Sequence, residues 1–192
     1  MTRIVVIDPQ PAVRAGLAVM LRAEPGLVPV GSAAGAHDGL ELVERQRPAV
    51  VLLDPQLLDG DGLAVCRRLR ALAHAPRVVL YTADADPSLP VTARVAGADA
   101  LVDTAADPPE LFEASRVVSR GGSALPPLDR GQLDLAAHRV EPDDLALLAM
   151  LVDRTPPADV ADTLRLDRRR LGRRIEALLA RLSGRQPRPR AA

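Results

Sequence analysis

Five short apolar runs punctuate the first 120 residues: Ile4–Ile7, Val28–Val30, Val50–Leu53, Val78–Tyr81 and Ala100–Val102. Each is brief, aliphatic and close to turn residues, which predicts strands. Between them, apolar positions return at helical spacing. Val13, Leu17, Met20 and Leu21 mark one face, and Leu40 and Val43 a second. Leu63, Val65, Cys66 and Leu69 mark a third, and Leu111, Ala114 and Val118 a fourth. Ser88–Ala96 carries the weakest helical pattern. Strand and helix alternating five times predict an α/β fold, a doubly wound five-stranded parallel sheet with helices on both sides. Ligands of such sheets bind outside the carboxyl ends of the strands. Asp8, Asp54, Thr82 and the Asp103–Thr104 pair fall at four of those ends, the one constellation in this region with the look of a site.

Past residue 120 the pattern changes. Arg120–Pro142 holds a GGS, a proline pair and scattered charges, and reads as a linker over 121–141. Residues 142–183 then predict a small all-α domain. Asp143 or Asp144 can cap a helix carrying Leu145, Leu148 and Leu151. Pro156–Pro157 opens a shorter one with Val160, Ala161 and Leu164. Asp167 can cap a third, whose Leu171, Ile175, Leu178 and Leu182 recur at i, i+4, i+7, i+11 as one buried stripe. Residues 184–192 are polar and proline-rich, which predicts a disordered tail.

The spacing of PADVADTLRLDRRRLGRRI is that of a helix-turn-helix. Ala161 is small where two helices would cross, and Leu166 fills the turn. With Leu171 pointing inward, rotation by ~100° per residue turns Arg169, Gly172, Arg173 and Glu176 outward. Arg168, Arg170 and Arg174 then flank that face. Flanking arginines suit phosphates and outward ones reach base edges in the major groove, so this helix predicts contact with double-stranded DNA.

Charge sharpens the picture. The net charge is zero, but residues 1–120 hold 12 Arg against 15 acidic residues, whereas Arg165–Ala192 hold 10 Arg against two. All 25 cationic residues are Arg; the chain contains no Lys, which excludes Schiff-base chemistry and a Walker-type phosphate loop. One Tyr, one Phe and no Trp exclude an aromatic stacking platform for single strands. A single cysteine excludes an internal disulfide or a multi-cysteine zinc site, and Cys66 between apolar neighbours predicts a buried structural thiol. His37, His74 and His138 lack metal-ligand spacing, and no serine sits in a nucleophile motif. No apolar run is long enough to span a membrane and the N-terminus reads as a strand, so the expectation is a cytoplasmic protein.

The order and spacing of VVIDPQPAVRAGL, VVLLDPQLLDGDGL, VVLYTAD and GADALVDT resemble a receiver domain. With the basic helix-turn-helix, the whole chain resembles a two-domain response regulator of the NarL/FixJ type, over residues 3–119 and about 141–182. The resemblance implies a flavodoxin-like receiver over 1–120 and a LuxR-type DNA-binding domain over 142–183. It implies Asp54 as the phosphoryl acceptor. It also implies an acidic pair for Mg²⁺ after the first strand, where this chain has Asp8–Pro9. The hydroxyl after strand four is present as Thr82. The family's lysine near the end of strand five is Thr104 here, its aromatic switch residue is Leu101, and Leu58 stands where the loop normally has proline. A neutral Thr does not replace an ammonium as counter-charge. The expectation is therefore a degenerate receiver pocket of Asp8, Pro9, Asp54, Thr82 and Thr104 in which Mg²⁺-dependent phosphorylation is weak or absent. Asp8 and Asp54 are the sole candidate Mg²⁺ ligands.

In the second domain the family's groove-contacting positions match Gly172, Arg173 and Glu176. A fourth helix that supports dimerisation in the family is replaced by the Pro/Arg tail, so a homodimer is expected through the receiver, by its fourth and fifth helices and fifth strand. The sequence leaves a sensor kinase open. It predicts a non-enzymatic, DNA-binding transcriptional regulator. The alternatives are an adaptor that pairs with another regulator without binding DNA, and an RNA-binding antiterminator.

Overall fold

The computed structural model describes residues 1–184. The chain divides into two compact units, one of Met1–Asp84 with Gly97–Pro126, the other of Ala85–Ala96 with the chain from Pro127 onward.

The first unit contains β1 (Thr2–Ile7), α1 (Pro11–Ala23), β2 (Leu27–Ala33), α2 (Ala36–Gln46), β3 (Val50–Leu53), α3 (Gly62–Arg70), β4 (Arg77–Thr82), β5 (Ala100–Asp103) and α5 (Pro108–Ser119). The strands form one parallel sheet in the order β2-β1-β3-β4-β5. Parallel strands covered on both faces read as unbroken apolar runs, and all four residues of β3 are buried. Ile4, Val6, Leu52, Val79 and Val102 meet Leu17 and Leu21 of α1 and Leu111 and Phe112 of α5 in one core. β2 forms an edge, where Pro29 and a register shift opposite Ile4/Val5 interrupt the ladder.

At the other edge the chain after α5 does more than link. Ala124 pairs with Ala100 in a parallel bridge, donating its N–H to Asp99 O at 2.9 Å. Asp99 is itself buried. It accepts Val78 N–H at 2.9 Å, Arg77 at 3.1 Å and Arg70 at 3.4 Å. Arg70 at the end of α3 is thus drawn into an ion pair.

The second unit holds α4 (Leu89–Ala96), α6 (Arg130–His138), a 3-10 turn (Pro142–Asp144), α7 (Leu145–Val152), α8 (Pro157–Thr163) and α9 (Arg168–Leu182). Two readings of the sequence need correction. The stretch read as linker contains α6, whose start is fixed by an Asp129/Gln132 capping box. α4 clusters with α6, α7 and α9, and six of its eight residues are buried. Arg139, immediately after α6, ties this unit together. Its guanidinium donates to Ser88 Oγ at 2.6 Å, to the Leu182 carbonyl at 2.7 Å and to Asp86 at 3.3 Å. α7 buries Leu147, Leu148 and Leu151, leaving Leu145 exposed, so its inward face is turned from the one read in the sequence.

α8 ends with Arg165 in the left-handed region, φ 52°. Leu166 N–H returns to Ala161 O and Arg165 N–H to Asp162 O, a Schellman closure that makes the tight turn into α9. Leu171, Ile175, Leu178 and Leu182 are all buried, with Leu179 beside them. The tail read as disordered, and with it the expected replacement of a fourth helix, falls from Arg185 onward outside the described residues.

Candidate functional sites

The first candidate lies along the carboxyl edge of the sheet. Backbone bonds hold its pieces side by side: Asp54 N–H donates to Ile7 O at 2.9 Å, and Thr104 N–H to Thr82 O at 3.1 Å. Asp8 is 3% exposed. Its carboxylate accepts Gln10 N–H at 2.7 Å and its carbonyl accepts Arg14 at 2.7 Å. Burial raises its pKa, against the smaller opposing pull of the Gln10 N–H and Arg14. Pro9, half-buried beside it, offers no side-chain donor atom. Asp54 is half-buried and accepts Gln56 N–H at 2.7 Å. Gly62, at the start of α3, is needed here. A Cβ at that position would stand 2.4 Å from the Asp54 carbonyl oxygen.

Thr82 is buried and its hydroxyl accepts Asp84 N–H at 3.2 Å, while Gln56 donates its side-chain amide to Asp84 at 3.1 Å. Thr104 is half-buried and its carbonyl accepts the Tyr81 hydroxyl at 3.4 Å. Tyr81 and Gln56 were not among the residues read as site residues. Burial, then the charges of Asp8 and Asp103, push the Tyr81 phenol above its ordinary range. The only aromatic hydroxyl of the chain thus sits on β4 beside Thr104 and Asp8. Its signal in the sequence was its uniqueness at a strand end.

These residues do not fit Mg²⁺, which demands near-octahedral oxygen coordination. Asp8 is buried with one oxygen engaged, Pro9 replaces the second acid, and Asp54 alone completes the pair. Among the described residues no three His, Cys, Asp or Glu side chains are grouped to hold a metal ion. Cys66 is fully buried, and burial pushes its thiol up to about 12, away from the range of reactive thiolates.

The second candidate is the face of α9. Asp167 accepts Arg170 N–H at 2.8 Å and caps the helix, and Arg170 also approaches the Asp167 carboxylate at 3.5 Å. Arg168, Arg169, Arg173 and Glu176 are exposed. A Cβ at Gly172 would meet nothing within 4 Å, so this position also opens outward. Arg174 departs from the sequence reading of a phosphate-facing flank. It is half-buried and pairs with Asp144, Nε at 2.9 Å and Nη2 at 2.5 Å from Oδ1, and donates to Asp143 O at 2.7 Å. α4, one of the elements expected to pair two copies, has six of its eight residues buried.

The response regulator receiver domain pattern matches residues 4–116. The chain is 29% identical to the DNA-binding transcriptional activator DevR/DosR of Mycobacterium tuberculosis, over all of this chain and 93% of that protein. A LuxR-family two-component response regulator from Aurantimonas is 28% identical, with a TM-score of 0.62 over 73% of this chain and 99% of that one. The fold of RcsB from Salmonella enterica bound to promoter rprA matches with a TM-score of 0.63 over 95% of this chain and 98% of that one, at 16% identity. Several other curated relatives are matched over little more than half of their own length. Two named protein-glutamate methylesterases are matched over about a quarter of theirs.

Proposed function

The chain belongs to the response regulator receiver domain family, and from that premise we propose that it is a DNA-binding transcriptional regulator whose receiver works without Mg²⁺-dependent aspartyl phosphorylation. The observation that carries the first half is the face of α9. Arg168, Arg169 and Arg173 are exposed on the second helix of a tight helix-turn-helix, with an aliphatic stripe beneath. A rigid helix with outward guanidiniums suits a major groove, the flanking ones on phosphates and the outward ones on base edges. Glu176 repels phosphate but accepts from cytosine. The DNA binding named for DevR/DosR of Mycobacterium tuberculosis agrees with this.

The second half rests on the pocket. Asp8 without an acidic neighbour, and Thr104 without an ammonium, leave the charge of an incoming phosphoryl group unbalanced at Asp54. The protein is then a regulator and not an enzyme; the methylesterase relatives are matched over only 25% and 23% of their own length. A homodimer through the receiver, by α4, α5 and β5, is part of the same reading.

The test is a mobility-shift titration of duplex DNA against RNA hairpins over a range of salt. Binding to duplex that weakens steeply with salt is the expected result. Preference for the hairpin selects the antiterminator, and no binding to either selects the adaptor. Incubation with acetyl phosphate and Mg²⁺, read by intact mass, tests the pocket; stoichiometric gain of one phosphoryl group overturns that half.

A further inference from the structure

Asp144 is buried, and its carboxylate joins two arginines of α9 that lie two turns apart. Arg174 holds Oδ1, and Arg181 Nη1 holds Oδ2 at 2.9 Å, with Arg181 Nη2 also 3.7 Å from Glu141. Residues seven apart share one side of an α-helix. Two anchors on one carboxylate, spaced along the axis, oppose both roll of the helix about its axis and sliding along it. The side they pin lies ~100° round the helix from the exposed Arg173 and ~140–160° from Arg169 and Glu176.

We propose that Asp144 is a positioning residue for duplex recognition: it fixes the rotation of α9 and keeps Arg174 and Arg181 out of the phosphate contacts. The inference rests on the DNA-binding reading above. With side-chain tips ~6 Å from the helix axis, a roll of ~20° moves them by ~2 Å. That breaks a base-edge hydrogen bond, whose donor and acceptor must lie within about 0.5 Å of its normal length. Aliphatic packing alone does not supply this control, because a smooth stripe of Leu and Ile tolerates small rolls. The ion pairs also withhold two cations. Their release adds phosphate contacts that carry no sequence information.

The experiment compares the full chain with Asp144→Asn and Asp144→Glu. Each is bound to one fixed GC-rich duplex over a salt series, and to a pool of random duplexes whose enriched sequences are read. Circular dichroism sets an assay temperature at which all three are folded. For Asp144→Asn the salt slope steepens by about 0.9 for each arginine freed onto a phosphate. Binding to the fixed duplex at low salt rises, and enrichment over the random pool falls at least tenfold. Asp144→Glu, which restores the charge, returns both towards wild type. A merely structural role moves neither slope nor enrichment in folded protein. Equal slope and equal enrichment in wild type and Asp144→Asn overturn the proposal. If the wild-type chain itself binds no duplex, the DNA-binding reading fails first and the positioning role with it.

Discussion

Replacing Asp99 tests how the sheet is closed at its β4–β5 end. The carboxylate is 2% exposed and satisfies the N–H of Val78, which is itself fully buried. Asp99→Ala leaves that N–H without an acceptor, at about 1–3 kcal/mol. The two guanidiniums it pairs with are 35% and 37% exposed, so water largely replaces the lost partner. Each pair contributes about 0.2–1 kcal/mol. The sum is about 1.4–5 kcal/mol, a fall of about 5–20 °C in Tm for a domain of this size. Asp99→Asn keeps an acceptor for Val78 and loses mainly the screened pairs, about 1 kcal/mol. Thermal and urea melts at neutral pH measure both, in low and high salt. The Ala variant should be far the worse, and its deficit should persist in high salt because a buried hydrogen bond is not screened. Equal losses for Ala and Asn, or an Ala deficit that vanishes in high salt, would refute this assignment.

Three further predictions concern the candidate sites. A receiver that held Mg²⁺ with a dissociation constant of about 1 mM would gain about 1.4 kcal/mol in about 10 mM metal; this chain should show no thermal shift with Mg²⁺ beyond that of a monovalent salt of equal ionic strength. Asp8→Asn should be as stable as wild type or more so at pH 7, measured by urea melts across pH. Because burial raises the Asp8 pKa in the fold, the folded state takes up its proton first, so wild type gains stability as pH falls through that folded pKa and the gap to Asn closes. A gap that widens on acidification would contradict the burial argument. Gly172→Ala has open space and removes a helix-interior glycine, so α9 should gain about 1 kcal/mol in melts; a loss of stability would mean that the position is not outward.

Much of the fold was legible because the sheet is parallel and doubly covered. Its strands are apolar runs such as Val50–Leu53, which announce themselves without periodicity. α9 was legible for the opposite reason: one aliphatic stripe and one arginine face at helical spacing. α4 was faint because Leu89, Val91, Thr92, Ala93, Val95 and Ala96 are all buried, which leaves no polar face to set a period. α6 was lost among glycines and prolines on either side of it, its one local signal being the Asp129/Gln132 capping box. In the pocket, the positions at strand ends could be read, but the partners could not. Tyr81 reaching Thr104 and Gln56 reaching Asp84 depend on neighbouring strands, a non-local relation. The same holds for Arg174, whose place on the helical wheel suggested solvent, while Asp144, thirty residues away, holds it down.

On the reading proposed above, the exposed arginines of α9 bind duplex DNA. The most direct measurement is the affinity of the full chain and of the double variant Arg169→Ala/Arg173→Ala for the same duplex, by fluorescence anisotropy over a salt series. The variant should bind more weakly, with a slope shallower by up to about 1.8, two contacts at about 0.9 each. Unchanged affinity and slope in a folded variant would show that the duplex does not bind at this face of α9.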